Sequence, residues 1–354
     1  MSRYFSQKFA SLVPYTPGEQ PKERRYIKLN TNESPFPPSP KAIEKAAEAA
    51  KNLQLYSDPT ATLLHRALGE TYHLPETMFL ATNGSDEILN FAFMAFCDET
   101  RPAVFPDITY GFYEVFAEIN RVPYQKIPLK DDLSIDVGAM TGLRATVFLA
   151  NPNAPTGLVL SLDDVETIVR STDGVVVVDE AYIDFGGESA ISLLGRYDNL
   201  LVTRTFSKSR SMAGARLGFG IADPTLIADL NAMKYATNPY NVNAMTMAAG
   251  IGCLCDEAYT LKNCETIIEN RKLLSEELHA LGFSLTDSMA NFVFAKHPRC
   301  SGSMLYEALR EAGILVRHFN PPRIADYLRI TVGSRTECEA LIEALKTVIP
   351  SFSC

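Results

Sequence analysis

Four consecutive valines at positions 175–178, closed by Asp179, constrain this chain more than any other stretch. β-Branched residues crowd a helix but suit a strand, and a strand without polar alternation has both faces buried. Strands of that kind occur in parallel sheets covered by helices on both sides. The surrounding sequence agrees. Apolar runs at 78–81, 103–105, 146–150, 200–203 and 217–221 read as further strands, with helical patterns at 86–96, 110–119 and 162–170 between them. The alternation predicts an α/β fold with a mainly parallel sheet.

The character changes near residue 255. A helical stretch over 257–280 leads into short strands near 283–285, 292–295, 315–317 and 328–332, with helices at 304–312 and 336–348. This pattern predicts a smaller α+β domain. At the other end, the first thirty residues carry Pro14, Pro17 and Pro21 and no periodicity, so they read as an extended arm. A proline-punctuated loop, NESPFPPSP, then precedes a helical pattern over 41–53. The expected organisation is an arm (1–30), a large α/β domain (31–255) and a small α+β domain (256–354). The arm should pack on the small domain or on a partner subunit. A length of 354 residues suits about two domains.

A net charge of −9 argues against nucleic-acid and anionic-membrane partners, which select a basic face. The seven cysteines have no framework spacing, and the lone C-x-C at Cys253 and Cys255 has no matching pair or nearby histidine. Reduced thiols and no metal site are expected. The first residues lack a signal-peptide core, and the most apolar stretch, 244–255, is too short to span a bilayer. These features predict a soluble cytoplasmic protein.

Candidate chemistry sits where strands end. Thr82-Asn83-Gly84-Ser85-Asp86-Glu87 lies between a strand and a helix. Gly84 permits a tight turn, Ser85 is a candidate cap, and free N–H groups at a helix start suit a phosphate. Taken alone, the motif reads better as an ordinary helix cap. Asn151 to Gly157 (NPNAPTG) follows the strand TVFLA, and Asn153 is either a ligand amide or a turn residue. Asp179 closes a buried strand, where an ionised carboxylate is costly without a partner. A protonated pyridine nitrogen would serve, as would a role in capping or metal binding. Tyr182 stands three residues on. Lys208, in TFSKSR after another strand with Arg216 nearby, is either a solvated charge or an amine made nucleophilic by its surroundings. A nucleotide-binding module would also use the phosphate turn. That reading lacks both G-x-G-x-x-G and G-x-x-x-x-G-K-[ST], and it leaves Asp179 and Lys208 unexplained.

Taken together and in order, TNGSDE, NPNAPTG, VVVVDEAY, TFSK and ARLGFG resemble the fold-type-I, pyridoxal-phosphate-dependent aminotransferases of class I/II over nearly the whole chain. Within that family, PYTPGEQP, LNTNESPFPPSP, YSDP, VRHF and LRITVGS resemble the histidinol-phosphate aminotransferase group. Two departures stand out: NESP replaces the commoner N-E-N-P, and Ala154 stands where many relatives carry a second asparagine.

The resemblance implies a large PLP-binding domain and a homodimer with shared active sites. It implies that Lys208 carries the cofactor as a Schiff base and moves the proton, and that Asp179 pairs with the ring nitrogen. Tyr182 and Asn153 would contact the phenolic oxygen, and Tyr110 would stack on the ring. Gly84, Ser85, Asp86, Ser207 and Arg216 would bind the phosphate, with Tyr56 reaching the partner's cofactor. Arg329 would hold the substrate α-carboxylate, with Arg317 as a second arginine for the anionic substrates and Tyr15 and Asn32 shaping the side-chain pocket. The implied reaction takes small-molecule amine and 2-oxo acid substrates: histidinol phosphate and 2-oxoglutarate give imidazole acetol phosphate and glutamate. An aromatic amino-acid aminotransferase or a decarboxylase of phosphorylated threonine would share the cofactor motifs.

Overall fold

The computed structural model describes residues 2–351. Met1 and residues 352–354, the outer ends of the expected arm and small domain, lie outside the described residues, as does the seventh cysteine, Cys354. Thirteen strands occur in the described chain: β1 (Ile27–Lys28), β2 (Phe79–Thr82), β3 (Ala103–Pro106), β4 (Tyr124–Ile127), β5 (Thr146–Ala150), β6 (Val176–Asp179), β7 (Leu200–Thr205), β8 (Gly218–Ala222), β9 (Ser284–Leu285), β10 (Phe292–Lys296), β11 (Ile314–Leu315), β12 (Arg317–His318) and β13 (Tyr327–Thr331). The α-helices are α1 (Pro40–Ala49), α2 (Thr62–Tyr72), α3 (Ser85–Phe96), α4 (Phe112–Asn120), α5 (Leu162–Ser171), α6 (Pro224–Thr237), α7 (Ala244–Leu254), α8 (Glu257–Ala280), α9 (Gly302–Glu311) and α10 (Arg335–Ser351).

A seven-stranded sheet of order β2-β8-β7-β6-β5-β3-β4 forms the centre. The valine run lies in its middle and is buried on both faces. Val176 and Val178 pack with Val147, Leu149, Leu200 and Val202, whereas Val177 packs on the other side with Phe148 and Leu201. Each buried valine contributes roughly 1.5–3 kcal/mol relative to exposure, which fixes β6 as the axis of the sheet. The sheet is mainly parallel. The exception is β8, antiparallel to both β7 and β2. Residues 206–217 between β7 and β8 contain no α-helix to carry a parallel crossover, so the chain doubles back.

A second sheet, β12-β13-β10-β9, is antiparallel and packs under α8, α9 and α10 around Leu274, Leu305, Ile330 and Leu341. The strand expected over 315–317 is split at Val316, because its two ends serve different partners. β11 pairs in parallel with β1 of the arm, and β12 pairs with β13. The arm therefore ends in a strand rather than in irregular chain. Edge strand β4 was not expected: Tyr124–Ile127 exposes two of its four residues and has no apolar run to announce it. Helices α2, α6 and α7 likewise lacked a clear pattern in the sequence.

Candidate active site

The C-terminal ends of β6 and β7 and the N-terminus of α3 surround a cavity of about 470 Å³, lined by Ser85, Asp86, Tyr110, Asp179, Tyr182, Ser207, Lys208 and Arg216 among others. Ligands of open α/β sheets bind at such strand ends. Eight residues singled out by separate motifs thus meet in one place.

Asp179 ends β6 at 4% exposure. The Thr203 hydroxyl donates to its Oδ1 at 3.1 Å and the Tyr113 hydroxyl to its Oδ2 at 3.3 Å. Neither partner is a cation. Burial pushes the Asp179 pKa up to about 6, the Asp86 charge adds to that, and the two hydroxyl bonds only partly oppose it. A cationic nitrogen placed against this carboxylate would restore its ionised form.

Lys208 follows β7, half-buried, with Nζ 5.8 Å from the Tyr182 ring centre and 3.4 Å from the Thr31 carbonyl oxygen, to which it donates. Its loop is anchored from behind. Ser209 donates to Asp184, and buried Arg210 pairs with Glu257 at 3.0 Å.

At the start of α3, Gly84 is the cap residue with φ +79°, and no side chain caps the helix. The expected Ser85 cap is therefore corrected: Ser85 is the first helical residue and borders the cavity. A Cβ on Gly84 would lie 2.6 Å from Arg216 Nη2, and one on Gly218 would lie 2.4 Å from the Ser85 nitrogen. Both glycines keep the turn open beside a guanidinium. Arg216 pairs with Asp86 Oδ2 at 3.0 Å, and the Tyr110 hydroxyl donates to Asp86 Oδ1 at 2.7 Å. Asp86 can only accept through its side chain, so any contribution of that residue to an anion must come from its N–H. Ser207 is buried and accepts from the Thr205 hydroxyl at 2.9 Å.

Other residues singled out in the sequence lie differently. Asn153 is 1% exposed and its amide is engaged within the loops: Nδ2 donates to the Ile108 carbonyl and Thr156 Oγ1, and Oδ1 accepts from Thr109. Its neighbour Ala154, not Asn153, lines the cavity. Asn32 is also buried, and its Nδ2 donates to the Tyr182 hydroxyl at 3.0 Å. Tyr15 of the arm stacks on Phe112 with centroids 4.3 Å apart. Tyr56 is 84% exposed, stacks on Tyr240 at 4.6 Å and does not line its own chain's cavity.

Arg317 and Arg329 face each other as register partners on β12 and β13. Like charges directly opposite on a sheet repel. Among the described residues neither is paired with a carboxylate. Arg317 donates to the Thr16 and Pro17 carbonyls, and Arg329 to the Asn30 carbonyl. Arg329 Nε is buried with no partner among the described residues. Desolvation, with Arg317 adding to it, lowers the Arg329 pKa from its ordinary value. Guanidiniums short of a counter-ion have the chemistry to take an anion.

Gln20, Thr31, Glu33 and Thr205 also line the cavity, and Tyr113 and Thr203 hold Asp179. None was singled out in the sequence. Thr203 had one usable signal, as the polar residue that closes the apolar run Leu200–Val202 of β7 beside β6. Among the described residues no cluster of three His, Cys, Asp or Glu could hold a metal ion, and no helix is long and apolar enough to cross a membrane.

Comparison with known proteins agrees with this geometry. The family model for aminotransferase class I and II matches residues 24–345. "Histidinol-phosphate aminotransferase 2" of Dechloromonas aromatica is 46% identical over 354 residues, covering 98% of this chain and 99% of that one. "Histidinol-phosphate aminotransferase 1" of Bradyrhizobium diazoefficiens is 45% identical, covering 99% of this chain and 100% of its own length. Among solved structures, the Sinorhizobium meliloti histidinol-phosphate aminotransferase, in complex with pyridoxal 5'-phosphate, superposes with a TM-score of 0.85 at 24% identity, covering 93% of this chain and 92% of that one. That likeness shows the fold. The chain belongs to the class I and II aminotransferase family.

Proposed function

We propose that this protein is a pyridoxal-phosphate-dependent aminotransferase that exchanges the amine of histidinol phosphate with 2-oxoglutarate, giving imidazole acetol phosphate and glutamate in histidine biosynthesis. The observation that carries the substrate reading is the arginine couple Arg317 and Arg329, without a carboxylate partner among the described residues: neither lines the lysine cavity, but Arg329 lies within electrostatic reach of its Tyr110 and Tyr182. Both substrates are anionic, one through phosphate and the other through carboxylates, and one pair of guanidiniums serves each in turn. Names shared by relatives at 44–46% identity over nearly full length support the same reading.

The residues present fit the cofactor. A carboxylate short of a cation, a cavity lysine and a glycine-opened helix start beside Arg216 match its ring nitrogen, aldehyde and phosphate. Asp179 would hold the ring nitrogen, and Gly84, Ser85, Asp86, Ser207 and Arg216 the phosphate. Tyr110 would cover the ring face, and Tyr182 would meet the phenolic oxygen. When bound, the cofactor supplies an electron sink for the charge left at the substrate carbon. Lys208 Nζ would take the proton from that carbon and deliver it to the cofactor's C4′ carbon, a general acid–base role suited to a flexible amine beside the cavity.

We further assign the large unit to residues 31–255 and the small one to 256–354. Every strand of the seven-stranded sheet falls in the first range and every strand of the four-stranded sheet in the second, and the pairing of β1 with β11 supports packing of the arm on the small unit. A cytoplasmic homodimer completes the reading. Exposed Leu53, Leu55 and Tyr56, at 55–84%, form an apolar edge suited to a second copy. Tyr56 would reach the partner's cofactor phosphate there.

The purified protein should be yellow with pyridoxal phosphate and should bleach with glutamate and, in a separate sample, with histidinol phosphate. A protein that stays colourless overturns the cofactor reading. Bleaching by aromatic amino acids but not by histidinol phosphate overturns the substrate reading alone.

A further inference from the structure

Asn32 is held more tightly than a loop residue needs. Its backbone is left-handed, at φ +56°, a conformation asparagine tolerates better than most residues. Its N–H donates to Thr331 Oγ1 at 2.9 Å, and its carbonyl accepts from Asn291 Nδ2 at 3.0 Å. The Thr331 hydroxyl donates in turn to Asn32 Oδ1 at 3.1 Å. With the carbonyl end of the amide fixed on Thr331, the NH₂ end has one direction left. It donates to the Tyr182 oxygen at 3.0 Å.

That bond settles what Tyr182 can do. A phenol oxygen that accepts from Asn32 keeps its own O–H free to donate elsewhere. Donation also polarises the phenol, which strengthens its outgoing bond. Tyr182 lines the cavity beside Ala154, which offers only a methyl group, while Asn153 has its amide engaged in the loops. In pyridoxal phosphate the phenolic oxygen flanks the carbon that an amine attacks, on the side away from the phosphate arm. With Ser85 and Arg216 holding the phosphate as proposed, that side would fall to Tyr182, which lines the same cavity.

We infer that Asn32 is a positioning residue, which donates to the Tyr182 oxygen and so holds the Tyr182 O–H as a hydrogen-bond donor to the cofactor's phenolic oxygen. The inference rests on the pyridoxal-phosphate reading. Its consequence is electrostatic. When the cofactor is bound, its phenolic oxygen, as an anion, would share a proton with the Lys208 nitrogen. A donor from Tyr182 stabilises the anion and weakens its hold on that proton; loss of the donor tightens it.

The test is a pH titration of visible absorbance in the full-length protein loaded with pyridoxal phosphate. Asn32→Gly removes the amide yet accepts the left-handed backbone. It should raise the midpoint by about 0.5 to 1 pH unit, the size of one neutral hydrogen bond. Tyr182→Phe should raise it at least as far, and the double variant should match Tyr182→Phe alone. Thr331→Val keeps the amide but frees its carbonyl end, and should give a smaller upward shift. It decides the matter should Asn32→Gly not fold. An unmoved midpoint in the folded variant, or a double variant whose shift equals the sum of the singles, overturns the inference and leaves the cofactor reading standing. A wild-type protein with no visible absorbance after loading overturns both.

Discussion

Asp179 and Glu180 are adjacent in sequence and equally hidden, at 4% and 2% exposure, yet their surroundings are built on opposite plans. Alternation along the extended chain sends them to different sides. Glu180 accepts from Arg204 at 2.8 Å, from Ser189 at 2.6 Å and from the Ala190 N–H at 2.6 Å. Arg204 also pairs with Asp184, and although desolvation opposes it, Arg204 and Arg210 hold the Asp184 pKa below its usual value. That side is complete within the chain. Among the described residues Asp179 has hydroxyl partners and no cation, while Arg329 and Arg317 have carbonyl partners and no anion. A charge cluster that closes on itself holds a fold together. One left open on matching sides is shaped for molecules that arrive later.

The comparison can be broken in four ways, and the largest effect is expected at Lys208. Lys208→Ala should lower transamination by about 10³- to 10⁴-fold, the scale of a lost acid–base group, with chemical denaturation nearly unchanged. A comparable loss of stability would move the lysine to the closed side. Next is Arg204→Ala, which strands Glu180 and should cost about 3–5 kcal/mol in urea unfolding. A change below about 1 kcal/mol would show that the closed cluster is not structural.

Asp179→Asn sharpens the contrast through pH. The folded pKa of Asp179, about 6, lies above the ordinary carboxylate value of 3.8. Its contribution to stability is therefore fully present below about pH 4 and is lost as pH rises through 6. In the cofactor-free protein at pH 7–8, Asp179→Asn should be more stable than wild type by roughly 2–3 kcal/mol, with the gap closing toward pH 4. The same variant should bind cofactor worse. A gap that does not vary with pH would mean that Asp179 is not ionising in a desolvated site. Smallest is Arg317→Ala, which should raise KM for histidinol phosphate about 10- to 100-fold and leave cofactor affinity unchanged. Equal loss of both would make the arginine a strut for Thr16 and Pro17.

The same contrast shows why only part of the site was legible in the sequence. Lys208, Asp179 and Gly84 lie where a strand or turn ends abruptly, and local pattern exposes them. The helix α8 was read over its full length, since no proline or glycine interrupts 257–280. Gln20, Thr31 and Glu33 gave no such signal. They reach the cavity from a proline-rich arm and loop whose path is set by contacts with β11, α9 and β12 far along the chain. Asn153 misled for a related reason. A motif names the residue, but Ile108, Thr109 and Thr156 decide where its amide points. Strand β4 went unread because an exposed edge needs no apolar run.

The bonds that pin Asn32 join it to Thr331, 299 residues away. During synthesis the sheet bearing Asp179 and Lys208 can close long before Thr331 leaves the ribosome. The mouth of the cavity cannot. Contacts so distant in sequence form late, because loop closure must precede them. Order of assembly thus separates a scaffold that matures early from a ligand site that matures last. A chain shortened before β13 would fold much of its sheet and still lack a finished place for its cofactor.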